Sequence, residues 1–172
     1  SRGFVHKKED VYILTHPHNY IFMRYTQENF QEWIFFISDK MEYFTGTFAK
    51  EHGLVLDYSK KSLDDLERWI LDNFNDHNDL IAQKELLDHL TIYIGQTFKK
   101  YIGGKWFIDL ENKKNVYYSM PVLTDETYRG VTYVSPMTFA TACISRNKGN
   151  YISTILLNCM EDMGIQLDSK VK

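Results

Sequence analysis

Six large apolar side chains, Phe30, Ile34, Ile37, Met41, Phe44 and Phe48, recur at steps of 4, 3, 4, 3 and 4 residues. That rhythm follows the α-helical turn and places all six on one stripe, so the rest of the fold must supply something to cover it. Trp33 and Phe36 widen the stripe, while Glu32, Asp39, Lys40 and Glu42 fall largely off it. Thr26 is a suitable N-cap and Gly53 a suitable left-handed C-cap, which predicts one long helix over about 26–53.

The flanking sequence is read by the same signals. Val11–Leu14 and Tyr20–Arg24 are β-branched and aromatic, and predict two short extended pieces around a His16-Pro17-His18 turn. Leu54–Tyr58 reads as a short strand or link. Ser62, with Asp65 three residues on, approximates a capping box and predicts a second helix with Leu63, Leu66, Trp69, Ile70 and Phe74 buried. Residues 75–79 read as a loop, and a third helix follows over roughly 80–102, with Leu87, Leu90, Ile94, Phe98 and Tyr101 on one face. Gly95 inside it weakens the helix, so its use is to let a neighbour approach closely. Gly103-Gly104 ends that helix.

Lys105–Leu110 and Asn115–Met120 predict a hairpin around Glu111-Asn112-Lys113-Lys114, with Pro121 at the end of its second strand. Residues 124–130 read as a polar loop and Val131–Val134 as extended. Ser135-Pro136 is a helix entry leading to about Arg146, and a last helix follows the Asn147–Asn150 turn, marked by Tyr151, Ile152, Ile155, Leu156, Cys159 and Met163. The expectation is a single α+β domain over 1–172. About five helices dominate it, beside a small antiparallel sheet including the hairpin near 105–120. The helical part at about 26–53 reads as an added arm.

Composition bounds what such a domain does. A chain of 172 residues with 44% apolar and 25% charged side chains has the length and mixture for one substantial core. Twelve Tyr and 11 Phe make that core aromatic, and Tyr also serves half-wet interfaces. A net charge of −3 with no basic stretch argues against nucleic acid as a partner. No apolar run approaches the roughly 18 residues of a membrane span; Trp33–Ile37 is short and flanked by Glu32 and Asp39. Without a signal-peptide pattern the default location is the cytoplasm, although the chain begins Ser1-Arg2-Gly3.

The chemistry-bearing residues form no recognised motif. His16 and His18 have a spacing that projects two rings to one side of a strand, but Pro17 interrupts it and no third ligand is fixed nearby. His52, His77 and His89 are scattered. Gly103-Gly104-Lys105 lacks the rest of a phosphate loop, and Cys143 and Cys159 sit in apolar helical patterns as small hydrophobes do. No metal site and no cofactor is expected. Asp109, Glu111, Asp125 and Glu126 cluster near the hairpin, where charged turns are the ordinary reading and an acid–base pair the sharper one. The best binding candidates are Tyr128, Arg129 and Tyr133 in one aromatic loop, together with Trp106 and Tyr117, because Tyr, Trp and Arg dominate interface hot spots.

From Leu54 to Leu123 the chain carries Leu54-Val55-Leu56-Asp57-Tyr58-Ser59, Ser62-Leu63, Tyr93-Ile94-Gly95, Gly103-Gly104-Lys105-Trp106 and Pro121. This pattern, over about 70 of 172 residues, resembles a loose group of uncharacterised bacterial proteins, some of them similar to toxin-immunity or accessory proteins. Gln96 stands where that pattern has an acidic residue after the Tyr-x-Gly. The resemblance implies a non-enzymatic domain that binds another protein, in the manner of an immunity protein neutralising a toxin. The alternative expectation is a small-ligand or enzymatic domain with a pocket near Trp106 and Tyr117. A third is an oligomerising module using the first helix.

Overall fold

Thr26 caps the first helix, α1 (Gln27–Phe35), as its sequence predicts. Its Oγ1 accepts from the Asn29 amide at 3.3 Å, and Asn29 Oδ1 accepts from the Thr26 amide at 2.6 Å. The computed structural model describes residues 25–167 in full and, before them, the backbone of Lys7–Lys8, Val11–Thr15 and Ile21–Arg24. The His16-Pro17-His18 turn lies outside the described residues.

The single long helix expected over 26–53 is two helices. α1 stops at Phe36, whose backbone leaves helical geometry. α2 begins at Ile37–Tyr43 and continues without interruption through a π-helical segment, Phe44–Phe48, into a last turn, Ala49–Glu51. No Gly or Pro marks the break, and the apolar steps run through it unchanged, so the sequence reads as continuous. Trp33, Phe30, Met41, Phe44 and Phe48 are buried as expected, but Phe36 is not: it is 40% exposed and its neighbour Phe35 is 78% exposed.

The next helix, α3 (Lys60–Asn73), is capped three residues before the predicted Ser62. Ser59 is the cap, its Oγ accepting from the Ser62 amide at 3.0 Å. Asp76 then caps a short helix, α4 (His77–Ala82), in the stretch read as a loop. Gln83 separates it from α5 (Lys84–Ile102), which Gly103 ends at a φ of 71°. The chain closes with α6 (Pro136–Arg146) and α7 (Tyr151–Asp162), both where the sequence places them. Counting α2 with its π segment as one, seven helices stand among the described residues, not five.

Two small antiparallel sheets accompany them. β1 (Lys7–Lys8), β2 (Val11–Thr15) and β3 (Ile21–Arg24) pair in that order, with Ile13 opposite Met23. β4 (Lys105–Phe107) pairs with β5 (Val122–Thr124), Trp106 opposite Leu123. The predicted partner strand, Asn115–Met120, is instead a run of turns. Asp109 Oδ1 accepts from the Glu111 and Asn112 amides, and Asn115 Oδ1 accepts from the Tyr117 amide. These short polar side chains offer the backbone local partners that outcompete a ladder, and pairing resumes only after Pro121.

α5 runs through the middle of the helical core, packed by α2, α4, α6, α7 and β5. Its buried set therefore extends beyond the predicted face to His89, Thr91, Ile92, Tyr93 and Thr97. Thr91 and Thr97 satisfy their hydroxyls on the carbonyls of Leu87 and Tyr93, four residues back. Gly95 serves the close approach expected of it: a Cβ there would lie 2.1 Å from Trp106 Cη2. A carboxylate joins two helices where the sequence gives no hint of it. Glu67 on α3 is fully buried, and its Oε1 and Oε2 accept from the Tyr151 and Ile152 amides at 3.0 and 2.9 Å, capping α7. Among the described residues no helix is long and apolar enough to cross a membrane.

Candidate functional site

The aromatic stripe of α2 does not end at the core. Phe44, Phe48 and His52 follow each other at four-residue steps, and the π segment brings Phe44 and Phe48 into a stacked pair 4.5 Å apart. His52 continues the series, 4.3 Å from the Phe48 ring and 5.0 Å from the Trp69 ring of α3. His89, one turn into α5, stacks on Phe44 at 5.6 Å and meets Tyr43 at 5.4 Å.

All of these rings but the fully buried Phe44 wall an open groove of about 580 Å³ between α2, α3 and the start of α5. Tyr43, Phe48, His52, Trp69, Phe74 and His89 give it aromatic walls, and Asn73, Gln83, Lys84 and Glu85 bring polar groups to its edge. Polar and apolar groups contribute almost equally to its lining, so the rings offer contact area and the polar groups can fix the orientation of what they hold. Burial lowers the His89 imidazole below its usual pKa against the opposing pull of Asp88 and Glu85, so its ring is neutral at neutral pH and has both a donor and an acceptor nitrogen.

A second hollow, about 360 Å³, lies on the other side of the first turn of α5 and shares Lys84 and Glu85 with the groove. Tyr25, Trp33 and Phe36 line it, with Glu32, Lys40 and Asp88. Asp88 organises this corner. One oxygen accepts from Trp33 Nε1 and the other from Lys40 Nζ, both at 2.6 Å. The Tyr25 phenol is pushed well above its usual range, first by burial and then by the Asp88 charge.

The residues singled out from sequence lie elsewhere. Trp106 fills the space over Gly95, donates from Nε1 to Gln96 Oε1 at 3.0 Å, and meets Trp33 edge to face at 4.8 Å. Tyr133 stacks on Phe107 and touches Tyr117, so those two tyrosines do come together as a half-buried cluster. Tyr128 is buried, its hydroxyl donating to the Gly103 carbonyl at 2.9 Å. Arg129 turns back on its own loop, donating to the carbonyls of Glu126 and Tyr128. None of these five lines the groove or the hollow.

The other candidates have structural partners. Asp109 and Asp125 sit below the usual carboxylate range because turn amides donate to them, the Asn112 amide most strongly to Asp109 and the Thr127 amide to Asp125. Such carboxylates stay ionised and anchor turns. Cys143 and Cys159 are free and buried; burial pushes the Cys143 thiol up to about 12, Glu67 adding to it, and raises Cys159 as well. Among the described residues no three or more His, Cys, Asp or Glu side chains gather as metal ligands would.

The sequence does not reveal the groove, because its histidines are scattered along the chain. The available signal is the step of four from Phe48 to His52, which extends the aromatic stripe of α2 by one turn. His89 and Trp69 join it only through tertiary packing. No family model, curated protein or solved structure matches the chain.

Proposed function

We propose that this chain is a non-enzymatic protein-binding domain, and that the groove between α2, α3 and α5 holds a segment of its partner. The observation that carries this reading is the groove itself: an open trough of aromatic rings, with Tyr43 45% exposed at its lip. Broad, rigid rings give large contact area at low ordering cost, and an open trough suits a chain segment. If the pattern over Leu54 to Leu123 carries the immunity-type role it implies, the partner is a toxin; the cytoplasm is the default place of action for a chain without a signal-peptide pattern. A net charge of −3 favours a protein over nucleic acid.

The second reading is a small planar ligand bound among the same rings, favoured by the imidazoles and amides at the groove edge. Photo-crosslinking in the native host separates the two. A benzophenone side chain at position 43 is expected to trap one protein. The same group at Val116, which is 82% exposed and lines neither hollow, is expected to trap none. Equal trapping at both positions, or none at position 43, contradicts the protein-binding reading.

A further inference from the structure

We propose that the chain forms a two-fold symmetric dimer through the α1–α2 junction, with Phe35 of each copy seated in the smaller hollow of the other. Phe35 is 78% exposed and Phe36 40%, and the two rings meet edge to face at 5.1 Å. Together they are an apolar knob on the surface, at the break between two helices whose other Phe and Trp rings are buried. Contiguous exposed apolar surface of this kind marks a contact site.

The hole adjoins the knob through Phe36. Phe36 is both part of the knob and a wall of the 360 Å³ hollow, whose other rings are Tyr25 and Trp33. That space holds a phenyl ring with room for its backbone approach. An isologous interface pairs a patch with itself, so knob and hole, acid and base must all be present within one patch. The rim meets the second condition too. Glu32 and Glu85 are acidic, Lys84 is basic, and none of the three forms an ion pair among the described residues, whereas Lys40 and Asp88 pair internally. A two-fold axis beside Phe36 brings Lys84 of one copy toward Glu32 and Glu85 of the other. An unrelated partner would require no such self-complementarity, and the second copy is the occupant that explains it.

The test is sedimentation velocity over a concentration series, comparing the wild type with Phe35→Ala. Phe35 lines neither hollow and is exposed, so the variant removes the knob while both hollows and the fold persist, which an unchanged thermal melt verifies. The expected result is a wild type that moves from the 20.4 kDa monomer to twice that mass, and a variant whose dissociation constant is at least about tenfold higher. A nitroxide at the exposed Gln31 (Gln31→Cys, with both native cysteines buried) is then expected to report one short intermolecular distance. A wild type that stays monomeric throughout overturns the inference, and so does a dimer indifferent to Phe35→Ala. Either result leaves the groove reading intact, because crosslinking at position 43 reports on that separately.

Discussion

Gly95 and Trp106 show how one missing side chain positions a corner of the molecule. A Cβ on Gly95 would fall 2.1 and 2.3 Å from two carbons of the Trp106 ring and 3.2 Å from Pro136 Cγ, with little room for a rigid indole to yield. Trp106 in turn presents its ring to Trp33, and Trp33 donates to Asp88, so the floor of the smaller hollow depends on a glycine in another helix. Gly95→Ala gains helix propensity of about 1 kcal/mol and loses more to the clash. The expected outcome is a net loss of about 2 kcal/mol in urea unfolding, with the Trp33 indole N–H resonance displaced. A neutral or stabilised variant would show that the corner yields more readily than the geometry indicates. The backbone permission of Gly95 was legible in the sequence; that Trp106 is the neighbour was not, because nothing local connects positions 95 and 106 across a turn of unknown course.

At the scale of elements, the legible features were those with local chemistry. Ser135-Pro136, Gly103 and the Asn147 turn each carry their own backbone reason, and the helix ends they mark lie where expected. The break at Phe36 carries no such mark, and the strand expected at Asn115–Met120 lost to side-chain acceptors in its own turns. Asp76, which with its neighbours reads as a breaker, is a cap, since Asp serves both roles and only the following packing decides. The Glu67 cap on α7 is of the non-local kind, joining residues 84 and 85 positions apart in sequence. Glu67→Gln replaces two carboxylate acceptors by one amide oxygen and removes the charge facing the helix N-terminus. A loss of about 2 kcal/mol is expected, with faster amide exchange in the first turn of α7. Unchanged exchange there would mean that the α7 terminus is held by packing alone.

For the whole molecule, α5 is the organising element. It is buried nearly all round, and both hollows open at its first turn, on either side of Lys84 and Glu85. The apolar pattern alone predicted a helical α+β domain, because periodicity reports burial. The site could not be read the same way. It is made by α2, α3 and α5 meeting, and its histidines come to line one groove only in three dimensions.

The measurement that tests the groove most directly is the affinity of the crosslinked partner, once purified, for the wild type and for Tyr43→Ala. Tyr43 is 45% exposed, so the substitution removes contact area without opening the core. A weakening of at least about tenfold, with the melting temperature unchanged, is the predicted result. Equal affinity for the two proteins would contradict the assignment of this groove as the binding surface.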